Sequence, residues 1–138
     1  MLVMKKILIL CTGNSCRSQM AEGWFNFFEP SYDVYSAGTH PDPLNEKAVF
    51  VMNESGVDIS KNISNHVNEY IDYKFDYVIT VCNNAEEKCP YFTFNAKRLH
   101  NSFVDPAKAK GNRTEQLLVY RTVRDEIRQY VKGLIDSL

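Results

Sequence analysis

The feature that most constrains this chain is a short apolar run that ends at a polar, glycine-containing loop and gives way to a helical pattern. Lys5 to Leu10 (K-K-I-L-I-L) reads as a buried strand. Cys11-Thr12-Gly13-Asn14-Ser15-Cys16-Arg17-Ser18 follows. From Arg17 to Phe28, Met20, Trp24 and Phe27 or Phe28 recur at helical spacing, so the spacing predicts an amphipathic helix ended by Pro30. A loop that runs into a helix N-terminus meets free backbone N–H groups and the positive end of the helix dipole, both of which favour an anion. Gly13 allows a turn that a Cβ would hinder. Successive N–H groups of Thr12, Gly13, Asn14, Ser15, Cys16 and Arg17 can then form a nest around tetrahedral oxygens. The Arg17 guanidinium can hold two oxygens at once.

The same positive surroundings predict a lowered pKa for Cys11, which puts a thiolate nucleophile beside an oxyanion cradle. The Ser18 hydroxyl can donate to that sulfur, or it can serve as a first-turn cap. Asn14 can take a left-handed backbone angle or tie the loop together through its amide. The plainer alternative is that Cys11 is a small buried hydrophobe and the loop only a turn. The order strand, cysteine, glycine, arginine, serine, helix favours the chemical reading, because a motif gains force from its context.

Further along, Asp33 to Ser36 predicts a second strand, closed by Gly38 and the Pro41-Asp42-Pro43 region. Asn45 to Ser55 predicts a helix with Asn45 as N-cap and Gly56 as stop. Ile63 to Tyr73 reads as a short strand and a short helix. Asp76 to Cys82 (D-Y-V-I-T-V-C) is rich in β-branched residues and reads as a strand, and Ala96 to His100 as another. Thr114 to Leu138 carries Leu117, Tyr120, Val123, Ile127, Tyr130, Leu134 and Leu138 three or four apart, the longest predicted helix. Strands that alternate with helices predict a parallel α/β sheet, with ligands beyond the carboxyl ends of its strands. Two of those strands end at Cys11 and Cys82, so both thiols are expected at one edge. The 138 residues contain no repeat, low-complexity tract or linker and are expected to form one domain, 1–138.

A net charge of −1 gives no basic field for nucleic acid. The apolar run near the N-terminus is too short to cross a bilayer or act as a signal peptide, so a cytoplasmic protein with no membrane partner is expected. In that compartment Cys11, Cys16, Cys82 and Cys89 are not expected to be a disulfide framework; catalysis, redox exchange and metal binding remain open. The spacings Cys11-x4-Cys16 and Cys82-x6-Cys89 do not match paired zinc ligands. Cys82 can equally be a packed strand residue and Cys89 a surface thiol. Asp105-Pro106 reads as a turn, or as an acid–base group if it approaches the oxyanion site. His40, His66 and His100 show no partner pattern.

The stretch C-T-G-N-S-C-R-S-Q-M-A-E-G-W from Cys11 to Trp24 closely resembles thioredoxin-coupled arsenate reductases. The resemblance continues through V-Y-S-A-G (34–38), L-N-E-K-A-V (44–49), G-V-D-I-S (56–60), V-I-T-V-C…K-C-P (78–90), V-D-P-A (104–107) and R-T-V-R-D-E-I (121–127). That family shares its fold with the low-molecular-weight protein tyrosine phosphatases. The resemblance implies a three-layer sandwich with a four-stranded parallel sheet flanked by helices. It implies that Cys11 attacks arsenate, that Cys82 attacks Cys11 with release of arsenite, and that Cys89 then attacks Cys82. Thioredoxin would reduce the final disulfide, with no tightly bound cofactor. Arg17 and Ser18 keep their roles in the loop, and Asp105 matches the aspartate that assists proton transfer.

Where phosphatases of this fold carry a tyrosine pair after the Asp-Pro, Ala107 and Lys108 stand here, which favours arsenate or phosphate over a phosphoprotein. The alternative function is a phosphatase acting on phosphotyrosine or small phosphomonoesters. Several family members bind potassium through an asparagine, a glutamate, a serine and an aspartate. Asn14, Glu22 and Ser36 match, while Asn65 stands in place of the aspartate, so one negative ligand is lost and affinity should fall. A monomer is expected.

Overall fold

A computed structural model describes residues 5–83 and 95–138. The strands are β1 (Lys6–Cys11), β2 (Asp33–Gly38), β3 (Tyr77–Thr80) and β4 (Lys97–His100). The helices are α1 (Arg17–Phe28), α2 (Glu46–Glu54) and α3 (Arg113–Ser137). Single 3-10 turns lie at Val67–Tyr70 and Pro106–Lys108. The four strands are all parallel, in the order β2-β1-β3-β4. The chain leaves β1 toward β2 on one side and later returns to place β3 on the other. The carboxyl end of β1 is therefore a switch point, where a crevice opens beyond the sheet.

Ile7, Leu8, Ile9 and Leu10 are fully buried, as expected of a central parallel strand covered on both faces. Helix α1 packs on β1 and β2, and α2 and α3 pack on α1. Gly23 makes that approach close, because a Cβ there would lie 2.9 Å from Ile59 Cγ2 and 3.1 Å from Met52 Cε. The indole N–H of Trp24 donates to the Arg124 carbonyl at 3.1 Å, and the Arg128 guanidinium stacks over Trp24 and Phe28. Arg121 and Arg124 both grip Glu54 at the end of α2.

Two elements differ from their predicted form. The segment from Ile63 to Tyr73 holds an isolated bridge between His66 and Gly38 in place of the strand, and its short helix is a single 3-10 turn at Val67–Tyr70. Its polar side chains hold the turn: the His66 ring accepts from the Asn68 N–H, and Glu69 accepts from the His66 N–H. Strand β3 stops at Thr80, two residues before Cys82, although the Val81 N–H still donates to Leu10 O at 3.0 Å. Among the described residues no helix is long and apolar enough to cross a membrane.

Candidate active site

The loop from Cys11 to Ser18 is held from outside. The Thr12, Gly13 and Ser15 carbonyls accept from the backbone N–H groups of His40, Asp42 and Asn45 at 2.8, 2.8 and 2.9 Å. Pro41 and Pro43 interleave with these donors and have no N–H to offer, so the strap presents donors where the loop needs them. The Asn14 carbonyl accepts from Gln19 Nε2 at 3.0 Å and Ser64 Oγ at 2.8 Å. Four successive carbonyls are thus engaged outward, an arrangement that suits a nest of inward-facing N–H groups. The left-handed angle falls on Asn14 (φ 49°). Gly13 does not take a positive φ; a Cβ there would lie 3.0 Å from Asp42 Oδ2. Gly38 is the tighter requirement, since a Cβ would strike the Thr12 carbonyl and come within 2.9 Å of Asn14 N.

Inside the loop the polar atoms pair with each other. Cys11 Sγ lies 2.9 Å from Ser18 Oγ and accepts from the Asn14 N–H at 3.2 Å. Asn14 Nδ2 donates to Ser18 Oγ (2.8 Å) and Ser36 Oγ (2.9 Å), and its Oδ1 accepts from the Asn65 N–H (2.8 Å). Ser18 is therefore a partner of the sulfur and not a helix cap; α1 has no side-chain cap and no acidic residue in its first turn. That leaves the positive helix end open to an anion.

The Cys11 thiol corrects one expectation. Its burial pushes the pKa up, against the lowering effects of Ser18, Arg17 and the Asn14 N–H. Desolvation penalises the thiolate more than one guanidinium and the hydrogen bonds compensate. Cys16, also buried, is pushed up for the same reason.

Arg17 Nη1 donates to the Phe103 carbonyl at 3.0 Å, and Nη2 lies 3.6 Å from Asp105 Oδ2. The other Asp105 oxygen caps the 3-10 turn by accepting from the Ala107 N–H. Cys11, Arg17, Cys82 and Asp105 line one cavity of about 480 Å³, together with Ala107 and Lys108. Cys82 is buried, and its Sγ lies 3.4 Å from Thr12 Oγ1. The topology thus turns position 82 toward the same crevice as position 11. Cys89 lies outside the described residues.

Glu22, Ser36 and Asn65 line a separate cavity of about 260 Å³. Asn14, the fourth candidate potassium ligand, has its amide engaged with the Ser18 and Ser36 hydroxyls and the Asn65 N–H. Glu22 accepts from Asn62 Nδ2 at 2.9 Å, and burial pushes its carboxyl up, with Ser36 opposing. Lys61 lines the same cavity. One partly desolvated carboxylate and a lysine on the wall are a poor fit to a cation that needs several oxygens and negative charge.

Sequence reasoning missed the outward brace. Gln19 is the clearest signal, a buried polar side chain in a helix that must find partners. Asn45 signals itself only as an N-cap, yet its Nδ2 also donates to Tyr120 Oη on α3.

A buried thiol, a loop that opens a helix and an arginine–aspartate pair over one cavity have the make-up of a site for tetrahedral oxyanions. The model of the low molecular weight phosphotyrosine protein phosphatase family matches residues 6–138, and the chain belongs to that family. It is similar to the arsenate reductase of Halalkalibacterium halodurans, with 46% identity over 96% of both chains. Among solved structures it is similar to an arsenate reductase in the phosphate binding state (TM-score 0.76, 29% identity, 97% of this chain and 98% of that one). It is also similar to the low molecular weight protein tyrosine phosphatase of T. tengcongensis (TM-score 0.81, 26% identity, 97% and 99%).

Proposed function

We propose that this protein reduces arsenate to arsenite through a cysteine relay and is regenerated by thioredoxin. The observation that carries the reading is Cys82, a second thiol on the wall of the Cys11 cavity with the Thr12 hydroxyl at 3.4 Å. A phosphatase needs the loop, Arg17 and Asp105, but has no use for that thiol. The similarity to the Halalkalibacterium halodurans arsenate reductase supports the same choice.

In this reading the Cys11 thiolate attacks arsenate held by the loop amides and Arg17, and water leaves as an S–As bond forms. Asp105, on the same wall, supplies a proton to the departing oxygen. The Cys82 thiolate then attacks Cys11 Sγ. The S–S bond forms as the S–As bond breaks, and arsenic keeps the electron pair and falls from As(V) to As(III). The two thiols supply the two electrons. Cys89 attacks Cys82 in turn, and thioredoxin reduces the resulting bond. A protein so regenerated works where thiols are kept reduced, in the cytoplasm.

Phosphate and arsenate share shape and charge, so weak hydrolysis of phosphomonoesters accompanies the main reaction. Ala107 and Lys108 on the cavity wall offer no aromatic rim for a phosphotyrosine ring. The test is arsenate-dependent NADPH oxidation with thioredoxin and its reductase, for wild type, Cys82→Ser and Cys89→Ser. Both variants should lose multiple turnover while para-nitrophenyl phosphate hydrolysis largely survives. Strong hydrolysis with no arsenate-dependent NADPH use would replace this reading with the phosphatase one.

A further inference from the structure

We propose that His100 is a positioning residue for the attack of Cys82 on Cys11. The proposal rests on the functional reading above and names a residue that sequence patterning leaves without a partner. His100 closes β4, one strand over from the end of β3. Its Nδ1 lies 2.7 Å from Thr80 Oγ1, and its Nε2 lies 3.2 Å from Asn83 Oδ1. The Asn83 oxygen can only accept, so Nε2 carries the hydrogen. Nδ1 pairs with the Thr80 hydroxyl, whose oxygen also lies 3.5 Å from the Leu99 carbonyl. The imidazole thus ties the last residue of β3 to the residue just after Cys82.

Cys82 stands between two anchors. Before it, Val81 is locked into the sheet edge, its N–H on Leu10 O and its carbonyl accepting from the Phe103 N–H at 3.1 Å. After it, β3 has ended, and among the described residues the Asn83 side chain pairs with His100. Asn83 lines the Cys11 cavity while His100 does not, so His100 acts through Asn83 and touches neither oxyanion nor sulfur. Nucleophilic attack on a sulfur needs the incoming thiolate aligned with the bond that breaks, and a loosely directed Cys82 would lose that alignment.

The experiment follows the Cys11–Cys82 disulfide in one turnover, in a Cys89→Ser parent that stops the relay there. Reduced protein is mixed with arsenate, quenched by alkylation and mapped by mass spectrometry. His100→Ala should slow disulfide formation roughly fivefold to tenfold, the scale on which one hydrogen bond acts. The arsenate concentration for half-saturation should stay put, and the ratio of disulfide formation to para-nitrophenyl phosphate hydrolysis should fall by the same factor. Asn83→Ala, an exposed change, should reproduce the effect, and the double variant should be no slower than either single one. A His100→Ala rate equal to the parent's, single-variant effects that multiply, or an equal fall in hydrolysis overturns the proposal alone. A parent that forms no disulfide with arsenate overturns the functional reading, and this proposal with it.

Discussion

The Cys11–Ser18 loop and the edge formed by the ends of β3 and β4 face one cavity but are built differently. In the loop, Asn14 and Ser18 are fully buried, and four carbonyls and one amide are tied to the strap, to Gln19, and to Ser36, Ser64 and Asn65. At the edge, Cys82 is buried but the residues that direct it, Asn83 and His100, are exposed. A cradle for an anion must be set before the anion arrives, since reorganisation would consume binding free energy. In the proposed relay the Cys82 thiol reaches first one sulfur and then another, and a thiol with that task cannot be set as firmly. A rigid cradle beside a more exposed edge suits the proposed binding step and relay.

The contrast can be broken most severely at Gly38. A methyl in Gly38→Ala would collide with the loop backbone at Thr12 and Asn14. The expected cost is about 2 kcal/mol or more of stability, read as a lowered Tm. Protection of Tm by phosphate should also disappear. Wild-type behaviour in both measurements would mean that the loop is as adaptable as the edge.

Ser18→Ala comes next, at about 1–3 kcal/mol, because it strips a buried partner from Asn14 and from Cys11. The Ser18 hydrogen bond lowers the Cys11 pKa against burial, so its loss leaves the thiol higher still. Activity that needs the thiolate rises as pH climbs through that pKa. The rising limb of kcat/KM for para-nitrophenyl phosphate, and of Cys11 alkylation, should therefore move to higher pH. An unmoved limb would show that the hydroxyl does not steady the sulfur.

Thr12→Val sharpens the comparison from the other side by removing the hydroxyl beside Cys82 Sγ. Arsenate turnover should fall a few-fold, on the order of a single hydrogen bond, and by more than ester hydrolysis does. Equal losses in the two assays would place Thr12 in the rigid half alone.

The smallest effect lies at Glu22. Its folded-state pKa is raised by burial, so the folded chain holds a proton that the unfolded chain gives up at lower pH. Stability is therefore lost as pH rises from the unfolded carboxyl value, about 4.3, through the folded one. Glu22→Gln should raise Tm slightly at neutral pH, and the gain should vanish in acid. A gain that persists below the carboxylate range would come from packing.

What was legible in the sequence was local. The hydrophobic periods of β1, α1 and α3, the Asn45 cap and the Gly56 stop need only neighbouring residues to declare themselves, and the structure places them within a residue or two. The loop was legible for the same reason, because cysteine, glycine, arginine and serine lie within eight positions and their order is their geometry. Tertiary structure decided what depends on distant partners. Proline spacing in 41–43 does not say that His40 and Asp42 will serve the carbonyls of Thr12 and Gly13. Nothing near His100 announces Asn83, and no local feature says that burial outweighs the charge of Arg17 at Cys11. Desolvation and side-chain pairing are set by what else occupies the surrounding volume, and that volume exists only once β1, β3 and β4 lie side by side.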